Sequence, residues 1–466
     1  MLRPLTLTLC MTLASPAWAQ PAPNRAPAQA PSGVTLTIQR ESLPNGLRVV
    51  LAPDRTVPTV AVAIYYDVGS RVEPEGRTGF AHLFEHLMFE GTEDLPKGEF
   101  DRLLALRGAD SNATTSEDRT NYFEMLPSSA LELGLWLEAD RMRALAVTAE
   151  AFENQRLTVQ EERRQSYENR PYMPSFLRRD ELAYQGYFPY SHSTIGDMRD
   201  LEMPGLAPAA QLQRVRDFHA RFYAPDNAVL AIAGDFEPAQ ALELVRRHFG
   251  GITTRRGAPW SDPGFTPVGR ELTEQLTDTH AELPAFHLVW HIPPRRTTDH
   301  YPLELLASIL GNGESSRLYR TLVKDQELLA EVQVGTEDRR GPDMFALWAL
   351  CAEGHTPAEG RAAVDQVLAR LLREGVTERE LQKAKNTFRA AFVFNLQTPL
   401  ERAEYLGMTE LYHGDATLVN SELSRYDAVT LADLARVARQ YLVPSNRIAL
   451  DVLPAPAAPS SAPAAP

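Results

Sequence analysis

The run Gly79-Phe-Ala-His-Leu-Phe-Glu-His-Leu-Met-Phe-Glu-Gly91 sets His82 and His86 four residues apart, with Glu85 just before the second imidazole. Residues three and four apart share a helix face, so a helix here brings all three side chains to one spot. Thr78 is placed as its N-cap and Gly91 as its C-terminal glycine. Phe80, Leu83, Phe84, Leu87 and Met88 form an apolar stripe for packing, leaving His82, Glu85, His86 and Phe89 on another side. A polar cluster in a largely buried helix needs a partner that satisfies it. Two imidazole nitrogens suit zinc, and an unligated carboxylate beside them can take a proton from a water at the ion.

Length and composition narrow the function. The chain has 466 residues, 47 Lys+Arg and 61 Asp+Glu. Residues 1–19 read as a secretory signal: Arg3, an apolar core from Leu5 to Ala14, and a small-x-small cleavage site at Ala17-Trp-Ala19. That core is too short for a permanent membrane anchor, and Leu9 before Cys10 argues against a lipoprotein. Loss of Arg3 leaves 46 cationic residues against 61 acidic ones, a net charge of −15. An exported, acidic chain without a basic run is expected to bind neither nucleic acid nor anionic membrane. Its expected location is periplasmic or secreted. Only Cys351 remains after cleavage, so no intrachain disulfide can form.

Residues 20–33 and 455–466 are Pro/Ala-rich and read as disordered extensions. Between them the sequence predicts a zinc-binding domain over 34–250, a linker over 251–270 and a second, homologous domain over 271–454. Phe222-Tyr-Ala-Pro-Asp-Asn-Ala-Val-Leu230 and Tyr441-Leu-Val-Pro-Ser-Asn-Arg-Ile-Ala-Leu450 share a helix–Pro–x–Asn–strand order, Pro225 matching Pro444 and Asn227 matching Asn446. In the first half, Asn45-Gly46 reads as a hairpin turn between Val34–Leu43 and Leu47–Leu51, with a third strand from Thr59 to Val68. Helical periods follow at 98–108, 128–146, 149–168, 205–222 and 236–249. The expected class is α+β, with helices banked on one face of a mainly antiparallel sheet in each domain. Gly311-Asn-Gly-Glu-Ser-Ser-Arg-Leu318 lacks the Gly-Lys-Ser/Thr ending of a phosphate loop.

His-x-x-Glu-His is the inverted zincin signature. The extended run from Gly79 closely resembles the pitrilysin-type metallopeptidases, a group that includes insulin-degrading enzyme and the mitochondrial processing peptidase. The resemblance covers about Val34 to Pro454. It implies two similar α+β domains that form half of a clamshell around a cavity. It also implies a third zinc ligand from a downstream helix. In Phe152-Glu-Asn-Gln-Arg-Leu-Thr-Val-Gln-Glu-Glu-Arg-Arg164 the matching position is read as Glu161, with Glu162 about a quarter-turn away. Asn154 then stands where many relatives carry another glutamate. On this reading zinc sits on His82, His86 and Glu161, and Glu85 is the general base.

Gly108-Ala-Asp-Ser-Asn-Ala-Thr-Thr-Ser-Glu-Asp-Arg-Thr-Asn-Tyr-Phe123 resembles the family strand that pairs with extended substrate, which places Asn112 and Ala113 nearest the metal. Self-sufficient relatives hold substrate with an arginine and, seven residues later, a tyrosine. Here those positions fall on Lys324 and Glu331, and neither side chain supplies the same contacts. The resemblance therefore implies an exported zinc endopeptidase acting on peptides or unfolded segments, paired with a homologous zinc-free subunit that carries the arginine and tyrosine. The other readings are a non-catalytic structural subunit and a self-sufficient homodimeric protease.

Overall fold

A computed structural model describes residues 35–253 and 255–456. The signal sequence, the first extension and most of the Pro/Ala tail lie outside the described residues. Among the described residues, no helix is long and apolar enough to cross a membrane.

The first half is built on six strands, β1 (Gln39–Ser42), β2 (Arg48–Pro53), β3 (Thr59–Tyr66), β4 (Asp110–Thr115), β5 (Thr120–Pro127) and β6 (Ala228–Gly234), in the order β1-β2-β6-β3-β5-β4. The second has β7 (Leu272–Asp278), β8 (Ala285–Ile292), β9 (Leu329–Thr336), β10 (Asp343–Cys351) and β11 (Arg447–Pro454), in the order β7-β11-β8-β10-β9. Without β1, the two orders superimpose strand for strand. In each, the last strand runs parallel to the first and antiparallel to the second. The repeated Asn makes the same bonds in both copies. Asn227 Nδ2 donates to the carbonyls of Phe222 (2.8 Å) and Asp67 (3.2 Å), and Asn446 Nδ2 to those of Tyr441 (3.0 Å) and His291 (2.8 Å). Each asparagine thus ties the end of a helix to another strand's end or edge, which explains its place in the shared motif.

Local signals held closely in the first half. Gly46 sits at φ +94 in the hairpin turn, where a Cβ would lie 2.5 Å from Asp226 Cβ. The helical periods become Glu99–Ala105, Leu131–Ala144, Ala149–Arg163, Pro208–Phe222 and Pro238–Phe249, the third running on as a π turn to Glu168.

Each sheet carries its own helices on one face. Val60, Val62, Ile64 and Tyr66 of β3 enter the first core with Phe80, Phe84 and Leu135. The opposite face is not left to solvent. Ala61, Ala63 and Tyr65 are also buried, because the helix Pro399–His413 of the second half lies across β3 and β6. Gly407 permits that approach, since a Cβ there would stand 2.6 Å from the Tyr65 ring. The exchange is reciprocal. The helix Met173–Ala183 of the first half covers β7, β8 and β11, with Ser175 Oγ 2.8 Å from His287 Nε2 and the Ala183 carbonyl 2.5 Å from His291 Nε2. An antiparallel sheet buried on both faces reads as a continuous apolar run, and Val60–Tyr66 is such a run.

Candidate metal centre

The motif helix spans Phe80–Leu87. Phe80, Leu83, Phe84, Leu87 and Met88 are all at most 2% exposed, so the apolar stripe packs as its spacing requires. The helix ends differ from expectation. Thr78 is not the N-cap; Gly79 is, at φ +88. Thr78 Oγ1 donates instead to Asp200 Oδ2 (2.7 Å) and accepts from the Asp197 N–H (2.8 Å). The free N–H groups of Gly79 and Ala81 are taken by the buried carboxylate of Glu73, at 2.9 and 2.7 Å. Burial pushes the Glu73 carboxyl up to about 8, against the pull of those same N–H groups. Nothing local in the sequence marks Glu73 as a cap, because it acts from a separate turn. The helix stops at Leu87, and Gly91 lies beyond it in the next turn, at φ +110.

The third donor is Glu162, which corrects the assignment of Glu161. Glu162 Oε2 lies 3.7 Å from His82 Nε2 and 3.4 Å from His86 Nε2. Glu161 is turned to solvent, with its side chain 55% exposed and bonded to Arg164 Nη1 (3.2 Å) and Gln165 Nε2 (2.8 Å). Helix periodicity is the cause. Phe152, Gln155, Val159 and Glu162 form one stripe at spacings of three, four and three. Phe152 and Val159 are buried in the core against the motif helix, so that stripe faces the histidines. Asn154 and Glu161 lie on the exposed side. The apolar pair Phe152/Val159 was the signal in the sequence that could have selected Glu162.

The same stripe brings an amide, Gln155, to His86, whereas Asn154 is turned away. Gln155 Nε2 donates to Glu90 Oε1 (2.6 Å), which leaves Gln155 Oε1 to accept from His86 Nδ1 (3.2 Å). A proton held on Nδ1 keeps the Nε2 lone pair of His86 free toward Glu162 and His82. Burial works against charge on His86, but Glu162 overrides it and holds the imidazole above its usual range. His82 is more deeply buried and lies below its usual range, Glu162 opposing the shift. Glu162 in turn is held low by its bond to His86, against its own burial.

Two donors bound to one tetrahedral zinc with legs of about 2.1 Å lie about 3.4 Å apart. Both histidine–Glu162 separations fit that value, and the three donors leave a fourth position open. The residues present therefore fit zinc. Glu85 stands one residue from His86, and its Oε2 accepts from Thr115 Oγ1 at 2.5 Å. Thr115 ends β4, the edge strand of the first sheet. It shares a strand face with Ala113, which is buried in the core, whereas Asn112 is exposed and its Oδ1 accepts from the Ala113 N–H (2.8 Å). Thr115 is thus the strand residue that reaches Glu85, a contact that the two-residue period of the strand sets once Ala113 is placed inside. Lys324, in a π turn (Tyr319–Asp325), and Glu331, on β9, are both exposed.

A helix bearing His-x-x-Glu-His, a second helix bearing a carboxylate, and an edge strand beside them define a metallopeptidase type of site. The comparisons with known proteins agree. A family model described as Insulinase (Peptidase family M16) matches residues 48–188, and one described as Peptidase M16 inactive domain matches residues 209–388. The chain is 30% identical over 414 residues to the zinc protease PqqE of Helicobacter pylori, covering 86% of this chain and 89% of that one. It belongs to peptidase family M16. Among solved structures, a protease from Helicobacter pylori matches with a TM-score of 0.84 at 27% identity, covering 90% of this chain and all of that one. The periplasmic protease PqqL from Escherichia coli matches at 18% identity and a TM-score of 0.72, with 90% of this chain laid over 48% of PqqL. The fold is thus shared with a protein about twice as long.

Proposed function

We propose that this chain is an exported zinc endopeptidase in which His82, His86 and Glu162 hold the ion and Glu85 is the general base. The observation that carries this reading is the convergence of the Glu162 carboxylate on both histidine Nε2 atoms, beside an unligated Glu85, in a chain whose relative PqqE is named a zinc protease.

Zinc bound there would acidify a water and polarise a peptide carbonyl. The protein supplies the rest. Gln155 fixes the His86 ring through Nδ1, and Thr115 fixes Glu85 through Oε2. Glu85 takes a proton from the attacking water and returns it to the leaving amine. The outer edge of β4 pairs with no strand among the described residues. An extended peptide laid along it past Asn112 and Ala113 binds through backbone groups, with little dependence on sequence. Export rests on the signal-like residues 1–19 and fits the periplasmic address printed for PqqL.

The chain spans about half of PqqL, and Lys324 and Glu331 stand where the resemblance calls for an arginine and a tyrosine. A homologous zinc-free subunit that supplies those two side chains completes the site and closes the clamshell. The test is peptide cleavage by the purified chain with and without such a subunit. Glu85→Gln is expected to keep zinc and lose turnover by about 10²–10⁴-fold. Near-normal cleavage by that variant would place the base elsewhere, and full activity of a homogeneous single-chain preparation would remove the partner.

A further inference from the structure

A second group of metal-type donors lies in the other half, away from the motif helix. His300 opens the helix His300–Gly311, Asp338 sits at φ +56 in the turn after β9, and Asp343 is the first residue of β10. His300 and Asp343 are at most 1% exposed. One donor atom from each of the three residues lies within 4.8 Å of the others. His300 Nε2 stands 3.3 Å from Asp338 Oδ1 and 3.5 Å from Glu304 Oε2. Asp343 Oδ2 makes no hydrogen bond, and His300 Nε2 and Asp338 Oδ1 meet only through ion-pair contacts, without a directed hydrogen bond. Buried polar atoms left without a partner are rare and costly. Their convergence, with Asp343 Oδ2 left unbonded, points to a common partner.

We propose that His300, Asp338 and Asp343 bind a divalent transition-metal ion. An imidazole with carboxylates is a donor set suited to zinc, and the 3.3 Å separation is close to the about 3.4 Å between ligands of a tetrahedral zinc. The surroundings orient the donors. Arg295 Nη1 holds the other oxygen of Asp338, Oδ2, at 3.2 Å, and Asp343 Oδ1 accepts from the Met344 N–H at 2.8 Å. Both contacts leave the opposite carboxylate oxygen free for the ion. An ion can enter from a cavity of about 610 Å³ lined by Arg295, Glu304, Asp338, Phe388 and Tyr405.

The ion would pin the turn between β9 and β10, which reaches into the first half. Arg339 meets Asp180 (3.2 Å) and Glu117 (3.4 Å), and the Arg340 N–H donates to Asp118 Oδ2 (2.9 Å). Glu117 and Asp118 form the turn that follows Thr115, the residue bonded to Glu85. A structural metal at His300 therefore braces the hairpin that carries part of the first site.

The test counts zinc in the untagged full-length chain after equilibration with micromolar zinc and removal of the excess. Two equivalents are expected in the unaltered chain, and one in His82→Ala/His86→Ala. Adding Asp338→Asn, which alters a half-exposed carboxylate and spares the core, or Asp343→Asn should remove the remaining equivalent while circular dichroism stays unchanged. Cobalt loaded into His82→Ala/His86→Ala should give a visible absorption band that Asp338→Asn abolishes. One equivalent in the unaltered chain and none in the folded double variant would overturn this second site and leave the first intact. Conversely, one equivalent that survives His82→Ala/His86→Ala but not Asp338→Asn would support the second site against the first. Zinc that persists in all the variants would overturn the assignment of these donors.

Discussion

Exchanging Glu162 and Glu161 one at a time separates the geometry of the folded site from the spacing read in the sequence. At an effective dielectric constant of about 20, unit charges 4 Å apart interact by about 4 kcal/mol, so a carboxylate against a dication is worth about 8 kcal/mol. The Glu162 side chain is 39% exposed, and discounting by half for solvent screening leaves about 4 kcal/mol, roughly a thousandfold in Kd. Glu162→Gln keeps the shape of the side chain and removes that charge. It should weaken the zinc equivalent that depends on His82 and His86 by about a thousandfold and abolish cleavage. Glu161→Gln removes only an exposed i,i+3 pair with Arg164, worth about 0.5 kcal/mol or less. Its zinc affinity should stay within about twofold. The assay is competition against a chromophoric chelator, read as the difference from His82→Ala/His86→Ala so that any other metal drops out. Equal losses in the two variants, or less than about a tenfold loss in Glu162→Gln, would refute the stripe argument.

Gln155→Leu should weaken zinc by about 10–100-fold with little change in stability, because it frees the His86 tautomer without removing a ligand; chelator competition measures it. Gly407→Ala should destabilise the chain by about 1–3 kcal/mol in denaturant unfolding, since the new Cβ meets a buried Tyr65 ring 2.6 Å away. Unchanged stability in that variant would mean that the exchanged helix does not seat on β3 as described.

Much of this protein was legible in its sequence because the decisive signals are local. The imidazole spacing and its apolar stripe need only a helix to bring His82, Glu85 and His86 together. The Asn45-Gly46 turn and the Pro225/Pro444 repeat likewise carry their own backbone chemistry. What required tertiary structure is whatever depends on which face of one element meets another. Glu161 and Glu162 are adjacent in sequence and differ by about 100° around a helix; only the packing of Phe152 and Val159 decides that Glu162 points inward. Thr115 reaches Glu85 across from another strand, and Glu73 caps the motif helix from a separate turn. The second face of each sheet is closed by a helix from the other half, against residues far away in the sequence. The cluster of His300, Asp338 and Asp343 forms because β8, β9 and β10 pair and bring a helix start, a turn and a strand start together. Sequence periodicity fixes the angle of a side chain about its own axis; the docking of one element on another decides what that side chain meets.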